Sequence, residues 1–453
     1  MQLSDVERLI AEHNVEVVRI GGSDMDGVYR GKRVLAETFL EGCRSGGFPQ
    51  CSVIFGWDVA EELIAGLEFG GAESGYEDIV MQPDFSTFRL VPWEAGCASV
   101  ICDYEHEDGR PVAESPRQLL RRVVERAADA GYVAKLAVEL EGRLFREDQA
   151  TLREKDHSNL TPLSPGLNCY SIQHASQDED VLGNLRHQLI EYGLPIEGYN
   201  REHGEGMYEI NLRYGDALTA ADQAMLYKSA AKEVAAQDGV MPTFMAKYTD
   251  AVDGSSGHTH VSLWSAEGGN NLFWQANAQH HASETMTAFT AGVLATLPEF
   301  MLLYAPNVNS YKRFVAGSWA PTSVSWGPDN RTAALRFITA SENGCRIENR
   351  VPGADVNAYL GFAATVAGGL HGIERGLTCP PPVEGDAYDQ AAEAPALPRS
   401  LAEAVDRFGD SAIAREFFGD EFVDHYARMR RWEVEQFNLA VTDWERRRYF
   451  EQV

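Results

Sequence analysis

Between Lys135 and Phe145 the chain reads KLAVELEGRLF, with Leu136, Val138 and Leu140 alternating with Ala137, Glu139 and Glu141. This period of two predicts a strand with one buried face. The pattern recurs. In GMYEINLR, Tyr208, Ile210 and Leu212 share one side and Glu209, Asn211 and Arg213 the other. In GHTHVSLW, Val261 and Leu263 oppose His258, His260 and Ser262. CRIENRVP sets Ile347 and Val351 against Arg346, Glu348 and Arg350, and TAALRFI sets Leu335 and Phe337 against Arg336. Helices are predicted in SPRQLLRRVVERAADAG, opened by Ser115-Pro116 and stopped by Gly131, in TAADQAMLYKSAAKEVAAQDG and in SETMTAFTAGVLATLPEFMLL. The terminal FGDEFVDHYARMRRWEVEQFNLAVTDWERRRYF reads as helical throughout.

Residues 1–107 read as a small strand-rich domain, in which VEVVRIGG, KRVLAETFL and ASVICDY run between glycine-rich turns. The turn Asp108-Gly109-Arg110-Pro111 leads into residues 108–453, where strands and helices mix. CPPPVEGDAYDQAAEAPALPRS is expected to be an exposed loop. No uninterrupted apolar run is expected to span a bilayer, and MQLSDVERLI lacks a signal-peptide pattern. Seven scattered cysteines form no CxxC pair, which points to reduced thiols in a cytoplasmic protein without a membrane partner. Against 68 acidic residues stand 39 basic ones, a net charge of −29 that argues against non-specific nucleic-acid binding and suits solubility.

The polar faces carry the chemistry. Glu139 and Glu141 lie about 7 Å apart on one side of a strand. One such strand alone reads as a solvated face, but five that collect Glu, His and Arg describe a lined cavity. Carboxylates this close repel and need cations to stay ionised. Oxygen-rich ligation with an occasional imidazole suits Mg²⁺ or Mn²⁺ better than Zn²⁺. Arg313, Arg331, Arg336, Arg346 and Arg350 crowd one stretch and suit carboxylate or phosphate. Metals with clustered arginines match the needs of phosphoryl transfer from ATP. Yet the chain has no GxxxxGK[ST] loop, and Gly254-Ser255-Ser256-Gly257 lacks both its spacing and its lysine.

The segments VELEGRLF, REHGEGMYEINL, GSSGHTHVSL, PNVNSYKRFVAG, NRTAALR and CRIENRVPGADVNAYL, in this order, resemble the glutamine synthetase superfamily over nearly the whole chain. The resemblance implies an α+β fold: a β-grasp domain over 1–107 and a catalytic α/β domain over 108–453, whose curved antiparallel sheet lines the active site. It implies a homo-oligomeric ring, a dodecamer, with each site shared between neighbours. One metal site would comprise Glu141, Glu202 and Glu209, the other Glu139, His258 and Glu348. Adjacent carboxylates on one strand would thus serve two metals. Gly254, Arg313 and Arg350 would hold L-glutamate, Arg331 and Arg336 would face the transferring phosphate, and Glu197, His260, Ser262 and Arg346 would contact ATP. All six ligand positions keep ligating residues, which argues against a degenerate relative.

Two positions depart from the ammonia-using members. In YKRFVAGSWAP, Trp319 stands where those members carry a flap glutamate that grips ammonium. In FGWDV, Gly56 or Trp57 replaces a second anionic ligand, with Asp58 close behind. Losing both anions should cost a small cation its site, whereas an indole attracts an organic ammonium by about 0.5–2 kcal/mol. This pattern, with the terminal VTDWERRRYFEQV, resembles the glutamate–amine ligase branch, the γ-glutamylpolyamine and γ-glutamylethanolamide synthetases. The expectation is ATP-dependent ligation of the glutamate γ-carboxylate to a primary amine other than ammonia. A polyamine such as putrescine comes first, then ethanolamine or a short monoamine. The alternatives are an ordinary glutamine synthetase and an inactive ring-forming relative. Tyr388, in GDAYDQ, falls in the region of regulatory adenylylation but lacks the family's preceding asparagine-leucine and reads as a surface-loop tyrosine.

Overall fold

The computed structural model describes residues 1–267, 269–390 and 394–453. A helix, Leu3–Glu12, precedes a six-stranded sheet whose order is Tyr29–Leu35, Val17–Ser23, Cys97–Glu105, Asp78–Pro83 and Phe48–Cys51, with Arg89–Leu90 paired to Cys97–Glu105. Its central pair, Val17–Ser23 and Cys97–Glu105, is parallel, and its other pairs are antiparallel. The segment KRVLAETFL, read above as strand, divides at Leu35: the strand ends there and the helix Ala36–Ser45 begins. The helix buries Phe39 and ends at Gly46 in the left-handed conformation (φ 102°), which a glycine adopts without penalty.

Residues 132–349 build a nine-stranded sheet, ordered Trp326–Pro328, Leu335–Ile338, Arg346–Asn349, Gly257–Ser265, Tyr132–Phe145, Met207–Leu212 and Ile196–Arg201. Two short strands, Gly215–Asp216 and Met241–Thr243, also pair with Tyr132–Phe145. The sheet is antiparallel except at one edge, where Trp326–Pro328 runs parallel to its neighbour. The apolar sides of the strands lie inward: Leu136, Val138, Leu140, Val261, Leu263 and Ile347 are each at most 1% exposed. Against them pack the helices Pro116–Asp129, Ala217–Gln237 and Ala358–Arg375.

Among the described residues, the helix Glu284–Tyr304 is by length and composition apolar enough to cross a membrane, although Glu284, Pro298 and Glu299 interrupt its apolar run. Its apolarity belongs to the core instead, with most of the helix buried against Ala358–Arg375. The two backbones touch: a Cβ on Gly292 would lie 2.1 Å from the Gly368 carbonyl oxygen. The C-terminal helix also divides, into Asp420–Leu439 and Asp443–Tyr449, because Thr442 and Glu445 form a capping box that starts a new helix.

Ion pairs tie the small sheet to the rest. Arg117, 2% exposed, bonds Asp84 and Asp103 on one side and Asp222 on the other. Arg430, buried in the C-terminal helix, pairs with Asp26. All seven cysteines are free.

Candidate active site

Strand register assembles the polar faces. Glu141 lies opposite Glu209, Glu139 opposite His258, and Glu348 opposite both His260 and Arg336. Glu202 follows the edge strand Ile196–Arg201, in the turn that leads into Glu209. All six residues matched to metal ligands therefore face one side of the sheet or its adjoining turn.

Glu139, His258 and Glu348 offer ligand atoms within 4.8 Å of one another. His258 Nδ1 is 3.4 Å from Glu348 and 3.7 Å from Glu139, while its Nε2 is buried with no hydrogen-bond partner among the described residues. Burial alone would raise both carboxyls. Instead the imidazoles of His260 and His258 hold Glu139 well below the usual carboxylate range. Arg350, with His258 and His260, brings Glu348 down to about 2. This half of the site is anionic.

The other half is crowded with carboxyls alone. Burial, reinforced by Glu139, Glu141 and Glu202, pushes Glu209 up to about 9. Glu202 is raised by burial and by Glu141, and one of its oxygens accepts a bond from Asn200 Nδ2 (2.7 Å). Glu141 accepts a bond from the Ser256 N–H. Carboxyls that repel one another in this way form an all-oxygen donor set of the kind a hard divalent cation takes.

With its pKa raised to about 9, Glu209 is expected to hold a proton near neutral pH, one that it would have to lose to serve as a ligand. Mn²⁺ binding is expected to release about one proton from this half-site, and to tighten as the pH rises toward about 9. Calorimetric titration in buffers of different ionisation enthalpy reads that proton. Heats independent of the buffer would contradict the assignment.

Glu197, His260, Ser262 and Arg346 line a single pocket of about 350 Å³ together with Glu139. Arg346 Nε donates to His260 Nδ1 (3.0 Å), so that ring nitrogen acts as an acceptor. Lys135, Asn211, Tyr214 and Asn343 also line the pocket and were not singled out from sequence. The alternation had already set Asn211 on the face of Glu209, without giving it a role, and Lys135 shares the face of Glu139, where the same period could have found it. Tyr214 and Asn343 lie beyond strand ends, where no period applies.

Arg313 and Arg350 are 3% and 5% exposed. Arg313 donates to the carbonyls of Val351 (2.9 Å) and Arg350 (3.1 Å), and burial lowers it to about 10. Gly254 lies against it: a Cβ there would be 2.7 Å from Arg313 Cγ and 2.6 Å from the Ala246 carbonyl oxygen. Arg336 bonds both Glu348 (2.8 Å) and Asp329, whereas Arg331 is exposed in the turn before that strand.

Trp319 is 55% exposed and its backbone adopts φ 62°, an uncommon conformation for a bulky residue. A second cavity, about 730 Å³, lies between the flap residues Val315–Ser318 and the loop 247–253, next to Gly254. Trp57 and Asp58 do not join these groups within one chain. Arg30 lies over the Trp57 ring (5.1 Å), and Asp58 accepts bonds from the N–H groups of Ala60 and Glu62. Tyr388 is half-buried rather than a free surface residue, and its hydroxyl donates to the Ala320 carbonyl (2.9 Å) beside Trp319. The loop around it is only partly exposed, since Ala387 and Leu397 are buried; residues 391–393 of that segment lie outside the described residues.

Residues 113–449 match the family model for the glutamine synthetase catalytic domain. The chain is 44% identical over 451 residues to a glutamate–isopropylamine ligase of a Pseudomonas species, covering 99% of this chain and 98% of that one. It is 41% identical to the γ-glutamylethanolamide synthetase of Streptomyces coelicolor, covering 100% and 96%. It is also 41% identical to a type-1 glutamine synthetase of Dictyostelium discoideum, covering 96% and 83%. Among solved structures, GmaS with ADP superimposes with a TM-score of 0.86 at 28% identity, covering 98% of this chain and 99% of that one. The chain belongs to the glutamine synthetase family, on its glutamate–amine ligase branch, and is an ATP-dependent carbon–nitrogen ligase.

Proposed function

We propose that the chain joins the γ-carboxylate of L-glutamate to a small primary amine other than ammonia. The observation that carries this reading is Trp319, an exposed indole on the flap where ammonia-using members place an anion. The relatives whose names specify an amine favour isopropylamine and ethanolamine, so a short alkylamine or alkanolamine moves ahead of the polyamine expected from sequence.

In this reading Glu141, Glu202 and Glu209 hold one divalent ion, Mg²⁺ or Mn²⁺, and Glu139, His258 and Glu348 the other. The ions supply charge neutralisation for the phosphates of ATP. Glu197, His260, Ser262 and Arg346 seat the nucleotide in the smaller pocket, with Glu139 at its inner wall. Arg313 and Arg350 take the glutamate carboxylates beside Gly254. A γ-carboxylate oxygen attacks the terminal phosphorus of ATP and the bond to the ADP oxygen breaks, while Arg331 and Arg336 offset the charge of the moving phosphoryl group. Arg336 is already oriented for this by Glu348 and Asp329. The amine nitrogen, as the free base, then attacks the acyl carbon, the bond from that carbon to the phosphate oxygen breaks, and the nitrogen's surplus proton passes to the departing phosphate. Carboxylate is a poor acyl donor, and phosphorylation supplies the leaving group.

Residues 1–107 and 108–453 act as two domains in this reading, consistent with a separate sheet on each side of the Asp108–Pro111 turn. Trp57 and Asp58 would reach the flap of a neighbouring subunit in a homo-oligomeric ring, a dodecamer as in the family. The free thiols accord with a cytoplasmic location.

The test is phosphate release from ATP and glutamate with ammonium, isopropylamine, ethanolamine and putrescine in parallel. A short amine is expected to exceed ammonium in kcat/KM. Turnover with ammonium alone would restore the ordinary synthetase, and none with any amine would restore the inactive relative.

A further inference from the structure

Arg143 lies on the strand of Glu139 and Glu141, two positions further along the same face, yet it has no counterpart among the ligand and substrate contacts described above. The residue is 1% exposed, and among the described residues its guanidinium forms no ion pair with a carboxylate. Instead Nη1 donates to the Glu205 carbonyl (3.1 Å) and Nη2 to the Asp253 carbonyl (2.7 Å). Glu205 belongs to the turn that starts at Glu202, and Asp253 immediately precedes Gly254. One buried side chain thus bridges the backbone of two loops, one bearing a proposed metal ligand and the other lining the glutamate position.

The fit is close. A Cβ on Gly204 would lie 2.5 Å from Nη1, 2.7 Å from Nη2 and 2.9 Å from Cζ, so even a methyl group there would push the guanidinium aside. The two loops also meet through His203 Nδ1 and Asp253 Oδ2 (2.8 Å), but that pair is half exposed, where water competes with it. A lysine would keep the charge of Arg143 but could not span two carbonyls with a planar fork.

We propose that Arg143 is a positioning residue that fixes the Glu202 turn and the Gly254 loop relative to each other, coupling metal affinity to glutamate binding. This rests on the assignment of Glu202 as a metal ligand. Groups that orient ligands from behind typically change metal affinity 10- to 100-fold when removed.

Two variants test it in the full-length protein: Arg143→Lys, which removes the fork, and Gly204→Ala, which leaves Arg143 intact but displaces its guanidinium. Calorimetric titration with Mn²⁺ alone and the KM values for glutamate and ATP are measured for both, beside circular dichroism and thermal melting. The expected result is Mn²⁺ binding weakened about tenfold or more and, at saturating Mn²⁺, a glutamate KM raised about tenfold with the ATP KM unchanged. A merely structural role would lower the melting temperature and leave Mn²⁺ affinity and glutamate KM where they were, and that result overturns the proposal. If Arg143→Lys fails to fold, Gly204→Ala decides alone, since it changes one methyl group. Absence of Mn²⁺ binding by the unmodified protein would instead reject the metal assignment itself, and the clamp with it.

Discussion

Exchanging Glu348 for glutamine is expected to lower kcat by about 10³-fold, the largest effect of any single substitution considered for this chain. Glu348 is 1% exposed, and its two oxygens are bound by Arg350 and by Arg336, with His258 Nδ1 at 3.4 Å. An amide presents N–H donors to one of those guanidinium groups, leaving Arg350 without a counter-charge and Arg336 with Asp329 alone. Breaking a buried pair in this way costs about 3–5 kcal/mol of stability, and loss of one preorganised charge partner at a reacting centre costs about 10²–10³ in kcat. The same change removes a carboxylate from the cluster with Glu139 and His258, so Mn²⁺ affinity should fall in parallel. Glu348→Asp keeps the charge but retracts it, and should recover part of the rate. Steady-state kinetics with saturating glutamate, ATP and metal provide the check. Retention of more than about a tenth of the wild-type kcat by the glutamine variant would exclude Glu348 from the machinery.

Trp319→Glu is expected to lower the ratio of kcat/KM for a short amine over that for ammonium by about 100-fold. Two contributions act in the same direction. Loss of the indole removes cation–π attraction of about 0.5–2 kcal/mol for the organic cation. A carboxylate at the same position attracts the smaller ion by a few kcal/mol at the dielectric of a partly exposed site. Because Trp319 is more than half exposed and packs no core, the substitution leaves the fold in place. Competition between ammonium and the preferred amine, read by product analysis, gives the ratio directly. An unchanged ratio would show that the flap residue does not select the nucleophile.

Much of the site was legible because chemistry and geometry share one period. A strand turns alternate side chains to opposite faces, so a reader who finds Leu136, Val138 and Leu140 on one face has already found Glu139 and Glu141 on the other. The misreadings occurred where that period gave way. KRVLAETFL kept its apolar spacing while the backbone changed from strand to helix at Leu35, which is exposed and holds neither side. The helix Glu284–Tyr304 shows the converse: its apolarity far exceeds one face because the helices Ala358–Arg375 and Leu401–Gly409 pack against it. Tyr388 read as a surface residue because its partner, the Ala320 carbonyl, is a backbone group that no side-chain pattern marks.

By itself, the order of residues determined which faces are apolar and which carry groups able to ligate. These are local properties, set by spacing along one segment. Tertiary structure alone decided that Glu141 meets Glu209, that Glu139 meets His258, and that Glu348 is enclosed by Arg336 and Arg350. It also decided that Arg143 spans two loops far apart in the chain. Such pairings depend on which strands become neighbours and in what register. That choice is fixed by the burial of the opposite, apolar face, so the side of the sheet that performs the chemistry is positioned by the side that never touches it.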